Sequence, residues 1–189
     1  AGAKGMWQFM YSTAKMYGLH IDSFVDERLD PVKSAEAAAQ YLQDSYEIFG
    51  DWNLAIASYN CGAGNVNKAI HRAGGKRDFW SIYPFLPKET RGYLPIYIAA
   101  CYAMNYAQIH GICPDNNIQY PVTDTIYTDQ RQHLKQIAEN IDIPITLLRQ
   151  LNPQYPRDII PGGKHYAICL PINKAGAYID NQENILAYQ

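Results

Sequence analysis

Apolar positions recur at helical spacing through roughly the first 110 residues and change to short alternating runs after residue 120. Asp30-Pro31 opens a helix in which Val32, Ala35, Ala39, Leu42, Tyr46 and Phe49 follow one another at three- or four-residue steps until Gly50 stops it. Asp51 then stands as the N-cap of a second helix, whose apolar run from Trp52 to Ala57 leads into Ser58-Tyr59-Asn60-Cys61-Gly62. Gly64 to Arg72 reads as a short helix closed by Gly74-Gly75, and a polar loop through Lys76, Arg77 and Asp78 leads to Phe79-Trp80. Pro87 to His110 is the longest helical segment, with a kink expected at Pro95, which removes a backbone donor from its interior.

From Gly111 to Pro121 the sequence turns to Pro, Asp, Asn and Gly, the composition of a linker. Thr123 to Thr128 then alternates like a strand. Gln130 to Ile141 reads as a helix with Leu134, Ile137 and Ala138 on one face, Ile145 to Leu151 as another, and His165 to Leu170 as a closing strand after the break at Asn152-Pro153. Residues 173–189 read as a linker or tail. The expected class is mainly α, with a helical domain over 1–112 and a small α+β module of order βααβ over 122–172.

Composition limits the function classes. At 189 residues with 48% hydrophobic and 18% charged residues, the chain can bury one or two cores, and no apolar run is long enough to span a bilayer. A net charge of −2 argues against a nucleic-acid partner, which calls for a basic face. Sixteen tyrosines and three tryptophans supply flat amphipathic surfaces of the kind sugars favour, besides their use in packing. Cys61, Cys101, Cys113 and Cys169 lack both zinc spacing and a Cys-x-x-Cys pair, so no metal site is expected, and free thiols are at least as much expected as bridges. With no initiator Met and no signal peptide, the chain is expected to begin inside a longer polypeptide.

Three short motifs carry the chemistry. Gly5-Met6-Trp7-Gln8-Phe9-Met10 combines an aromatic wall, an amide that both donates and accepts, and a glycine that lets backbone approach a ligand. Its apolar residues fit the buried face of a first helix equally well. Ser58-Tyr59-Asn60-Cys61-Gly62 sits where a helix must end, and Asn60 fits either a cap or a polar contact in a cleft. In Pro87-Lys88-Glu89-Thr90-Arg91-Gly92-Tyr93, Tyr93 lies one turn beyond Glu89 on the same face. Tyr59 and Tyr93 fit core tyrosines or cleft residues, and Glu89 fits a first-turn carboxylate favoured by the helix dipole.

The order and spacing of these motifs resemble the lytic transglycosylase family of goose-type lysozyme fold, in its membrane-bound murein transglycosylase D branch. That family shows Glu-Ser, then Gly-Leu-Trp-Gln, then Ala-Tyr-Asn-x-Gly, then Pro-x-Glu-Thr-x-x-Tyr. Gly5-Met6-Trp7-Gln8, Ser58-Tyr59-Asn60-Cys61-Gly62 and Pro87 to Tyr93 answer to the last three, while Glu-Ser is absent, so the resemblance places the catalytic acid ahead of Ala1. It implies cleavage of the β-1,4 bond between N-acetylmuramic acid and N-acetylglucosamine, with 1,6-anhydro ends and no cofactor. It also implies substrate-binding roles for Gln8, Met10, Tyr59, Asn60 and Tyr93, leaving Glu89 structural. A hydrolytic goose-type lysozyme and a binding-only peptidoglycan fragment are the alternatives.

Gln136-Ile137-Ala138, the stretch from Leu148 to Asn152-Pro153, and Ile160-Pro161-Gly162 resemble a degenerate LysM module, with Asp129-Gln130 in place of its usual opening. The resemblance implies weak binding of peptidoglycan glycan strands in a groove between Thr128-Asp129-Gln130 and Asn152 to Ile160, including Tyr155. A purely structural appendage remains open beside it. Both resemblances imply the bacterial cell envelope, periplasmic or outer-membrane-associated, with membrane attachment only through a segment outside this chain.

Overall fold

The computed structural model describes residues 2–113 and 121–187. They fall into two compact units, residues 1–37 with 119–189 and residues 38–118, with the boundary inside one helix. The expected linker lies largely outside the described residues, at 114–120.

Over its described residues the 38–118 unit contains helices and no strand, as expected. After α1 (Tyr11–Met16) and α2 (Pro31–Phe49), it comprises the end of α2, then α3 (Trp52–Cys61), α4 (Ala63–Arg72), α5 (Phe79–Ile82) and α6 (Lys88–Asn105), with 3-10 turns at Tyr83–Phe85 and Ala107–His110. Asp51 caps α3 by accepting from the Leu54 N–H at 2.9 Å, and Asp78 caps α5 in the same way from Ser81. Gly62, at φ 83°, ends α3 and begins α4, a conformation that a side chain would strain. Leu54, Ala57, Val66, Ala69, Phe79, Ile82, Leu86 and Leu94 form the core. The expected inner face of α2 is corrected: Val32, Ala39 and Tyr46 are exposed, whereas Ser34, Ala37, Ala38 and Ser45 are buried beside Phe49. Small side chains carry that face, and a hydrophobicity pattern does not mark them.

The other unit joins the N-terminal segment to the C-terminal module. Strand β1 (Thr123–Thr128) pairs antiparallel with β4 (Tyr166–Pro171), from Thr123 opposite Pro171 to Thr128 opposite Tyr166, and β2 (Gln132–His133) pairs with β3 (Ile159–Ile160). Between them lie α7 (Leu134–Asn140) and α8 (Ile145–Leu151), so the βααβ order holds with a short strand pair added. The helix expected from Gln130 starts instead at Leu134, because His133 and Gln136 form a reciprocal capping box there and Gln132 belongs to β2.

Residues 173–189 are not a tail over their described part. They form α9 (Ile172–Asp180) and α10 (Gln182–Ala187), and these helices insert the fully buried Tyr178 and Ile185 into the core of Leu134, Ile137, Leu148, Ile160, Ile168 and Leu170. The Tyr178 hydroxyl donates to Gln132 Oε1 at 3.0 Å, and Gln132 Nε2 donates to Thr128 Oγ1 at 3.3 Å. Lys174 reaches back to the Ile141 and Asp142 carbonyls.

Two residues expected to line a glycan groove are structural. Asn152, 1% exposed, accepts from the Cys169 N–H and donates to the Cys169 and Leu148 carbonyls at 2.8–2.9 Å. Buried Tyr155 donates to the Ala167 carbonyl at 2.7 Å. Both therefore strap the loop after α8 to β4, and Thr128, Gln154 and Ile160 are buried too.

Segment 20–28 belongs to the same core. Val25 is buried among the module residues, and the Arg131 and Arg157 guanidinium groups lie 5.7 and 5.9 Å from the Phe24 ring centre. The Asp26 N–H donates to the Gln154 carbonyl at 2.9 Å. Its side chain, like that of Arg28, is almost fully buried, and the two pair through Arg28 Nε and Nη2 at 2.8 and 2.7 Å. Arg28 Nη1 donates to the Gly2 and Phe9 carbonyls. Burial pushes the Asp26 carboxyl up, but the hydrogen bonds and charge of Arg28, with Lys4 beside it, outweigh that cost and hold it below its ordinary value.

Two outcomes follow for stability. Tyr178→Ala should destabilise the module by about 3–5 kcal/mol, measurable by urea denaturation, whereas a disposable tail would leave the midpoint unmoved. Because the Asp26 carboxyl is depressed in the folded state, its contribution is present above about pH 4 and is lost as the pH falls through the folded value. Asp26→Asn should therefore cost about 3–5 kcal/mol at neutral pH and flatten the acid limb of the stability curve, since it leaves a buried guanidinium without its carboxylate. Unchanged denaturation midpoints at neutral and acid pH would show that Arg28 finds other acceptors.

Candidate functional site

The Gly5–Met10 motif is a tight turn, not the buried face of a helix. Lys4 and Phe9 form an antiparallel bridge with N–H to carbonyl distances of 3.2 and 3.1 Å, and α1 begins only at Tyr11. Phe9 alone among the motif's apolar residues is buried, while Met6 and Met10 are exposed. Gly5 takes φ 79° with its α-carbon against the Arg28 carbonyl, so that a β-carbon there would sit 1.7 Å from the Arg28 oxygen. That close approach explains the glycine. Gln8 adopts φ 52°, rare for a side-chain-bearing residue, and its amide Nε2 donates to the Gly5 carbonyl at 2.6 Å. The turn thereby presents Gln8 and Met10 at the surface of the first unit.

Tyr59, Asn60 and Tyr93 come together in the helical unit. Tyr59 is half-buried near the C-terminus of α3, with its ring edge-on to Tyr41 at 5.2 Å between centres. Burial first, and then the neighbouring Tyr93 and Tyr41 phenols, push its hydroxyl well above the usual tyrosine range. The phenol therefore keeps its proton at neutral pH. Asn60 Oδ1 accepts from the Thr90 hydroxyl at 2.7 Å, tying the end of α3 to the first turn of α6, and this reading as a structural clasp sits beside any contact with a ligand. Tyr93 stands partly exposed one turn along α6. Glu89, in the first turn of α6, is exposed.

Sequence reading missed two members of this cluster. Tyr41 packs on Tyr59 from α2, and its hydroxyl donates to the Ser58 carbonyl at 2.9 Å. No local pattern marks it, since the contact spans eighteen positions of sequence. Thr90 lies inside a recognised motif, but its buried hydroxyl has a partner thirty residues away. Burial raises the Cys61 thiol above its ordinary value, and the four cysteines are free, with Cys113 exposed. Among the described residues no group of three or more His, Cys, Asp or Glu is placed to hold a metal ion, and no helix is long and apolar enough to cross a membrane.

Residues 1–81 match the transglycosylase SLT domain, and residues 122–187 match the LysM-like domain of lytic transglycosylase MltD. The second match includes both α9 and α10. Among curated proteins, membrane-bound lytic murein transglycosylase D of Escherichia coli K12 is 35% identical over 162 residues, covering 80% of this chain and 34% of that protein. Soluble lytic murein transglycosylase of the same organism is 33% identical over 99 residues, 49% of this chain and 15% of that protein. A peptidoglycan transglycosylase of Escherichia phage T7 is 38% identical over 95 residues, 49% of this chain and 7% of that protein. The chain thus spans about a third of the length of the transglycosylase D relative. With an SLT domain at one end and an MltD-type LysM-like domain at the other, the chain belongs to the lytic transglycosylase family.

Proposed function

We propose that this chain is part of a peptidoglycan lytic transglycosylase that cleaves the β-1,4 bond between N-acetylmuramic acid and N-acetylglucosamine and leaves 1,6-anhydro ends, in the bacterial periplasm or at the outer membrane. The observation that carries the proposal is Tyr59: a phenol held neutral among tyrosines at the end of α3, beside the Asn60–Thr90 bond that docks the Pro87–Tyr93 motif. Such a donor suits a partner that alternates between acid and carboxylate, because it bonds the carboxylate without competing for the proton.

On this reading a glutamic acid encoded ahead of Ala1 protonates the glycosidic oxygen as the bond to the anomeric carbon breaks. The resulting carboxylate then removes the proton of the muramic acid 6-hydroxyl, whose oxygen closes on the same carbon. The proton returns to the glutamate, and no water is consumed. Tyr59 orients the carboxylate, Gln8 bonds the sugar or its acetamido group, Met10 lies against the reacting sugar, and Asn60 and Tyr93 contact the strand. Residues 1–112 form the catalytic domain in this reading, and the module binds glycan strands.

Tyr59→Phe in the protein with its upstream sequence should lower turnover on purified peptidoglycan by about tenfold to a hundredfold with little change in KM, the loss of a charge-assisted hydrogen bond worth about 1.5–3 kcal/mol. Wild-type turnover in that variant would make Tyr59 a packing residue. Mass spectrometry of the digest separates the reaction classes: anhydro ends are lighter than reducing ends by one water. Reducing ends would identify a hydrolase, and an undigested but bound substrate would leave a binding protein.

A further inference from the structure

Two adjoining cavities lie against the β1–β4 pair, mainly on the face that the module core does not use, the larger also bordered by Val25, Tyr155 and Tyr166 of the core side, and both are built from the first unit alone. In the antiparallel register Thr125 lies opposite Cys169 and Tyr127 opposite Ala167, so these four residues share one face. The intervening Ile126 and Ile168 turn to the core. The outer face is met by the start of α2. Asp30, Lys33, Tyr127, Gln154 and Ala167 line both cavities, which makes them one groove with two chambers of about 280 and 220 Å³.

The chambers differ in chemistry. His20, Glu27, Lys164 and His165 add polar groups to the larger one, whereas Val32, Leu151 and Cys169 give the smaller one an apolar floor. Their polar walls are fixed before any ligand arrives: Lys33 pairs with Glu27, the His20 N–H donates to Glu27 at 2.7 Å, and Asp30 accepts from the Val32 and Lys33 N–H groups. Lys164 has no carboxylate partner among the described residues. Tyr127 is 64% exposed although it lines both chambers, which leaves an aromatic surface at the rim.

Glu27 and Asp30 offset Lys33 and Lys164, so the groove suits neither a polyphosphate nor a polycation. A hydroxyl-rich ring bearing one small apolar substituent fits both chambers: hydroxyls against the carboxylates, Lys164 and Gln154, an acetyl methyl against Val32, Leu151 and Cys169, and the ring face at Tyr127. We propose that this groove is a saccharide site that seats an N-acetylated amino sugar of a glycan strand. The choice of ligand rests on the transglycosylase reading; the site itself rests on the groove.

The test measures chitotetraose binding to the whole chain by calorimetry and by amide shifts. Wild type should bind with shifts concentrated at residues 30–33, 125–127 and 164–169. Tyr127→Ala and Lys164→Ala change exposed side chains and should leave thermal unfolding unaltered while weakening binding, the tyrosine variant by at least about tenfold. A paired change of Asp129 and Gln130 to Ala should leave the affinity as it is. Wild-type affinity in both groove variants, or loss of binding only on changing Asp129 and Gln130, would overturn the site. If the protein with its upstream sequence releases anhydro ends while this chain binds no chitotetraose, the groove inference falls and the transglycosylase reading stands. If that protein neither cleaves nor binds peptidoglycan, the reading falls and the ligand assigned to the groove falls with it.

Discussion

A buried guanidinium tolerates few arrangements, and Arg28 imposes one on the first unit. Taken out of water, its donors need acceptors in a fixed plane, and the chain supplies the Asp26 carboxylate and the carbonyls of Gly2 and Phe9. Two of those acceptors belong to the segment carrying the Gln8 turn, and the Asp26 backbone bonds the Gln154 carbonyl in the module. The turn, the 20–28 segment and the loop after α8 therefore share one polar knot. Gly5 is fitted to the same knot from the other side, since the Arg28 carbonyl occupies the space a side chain would need.

The module repeats this economy at smaller scale. A core of few elements is made specific by polar groups that each close several backbone positions: Asn152 satisfies both the N–H and the carbonyl of Cys169, Tyr155 holds Ala167, and Gln132 links β2 to α9 through Tyr178. Fully satisfied buried groups of this kind fix register, because a one-residue slip of β4 would leave Asn152 and Tyr155 without their partners there. The Asn152 amide and the Tyr155 hydroxyl, which the sequence offered to a ligand, are thereby already engaged with backbone groups.

Much of the fold was legible because its signals are local. The Asp51 cap, the glycine at the α3–α4 junction, the proline starts of α2 and α6, and the alternation of β1 each act within a few residues. What escaped depends on distant partners. Ser34, Ala37, Ala38 and Ser45 are inward by packing rather than by hydrophobicity, and Tyr178 and Ile185 are buried only because α9 packs on β1 and β4 and α10 on α7. At the candidate site the motifs named Tyr59, Asn60 and Tyr93 but not what surrounds them, because the contacts with Tyr41 and Thr90 arise only when α2, α3 and α6 meet.

The joining of the Gln8 turn and the module in one unit bears on how a strand is handled. A module on a loose linker raises the local concentration of substrate but leaves its register to chance. Here the Gln154–Asp26 bond and the Asp26–Arg28 pair connect the wall of the β1–β4 groove to the turn that presents Gln8. Any sugar seated in the groove is then held at a set distance from Gln8 rather than at a distribution of distances. A strand spanning both points would be bound in discrete registers, spaced by its repeating disaccharide, so the same contacts that stabilise the module would also restrict which sugar reaches the turn.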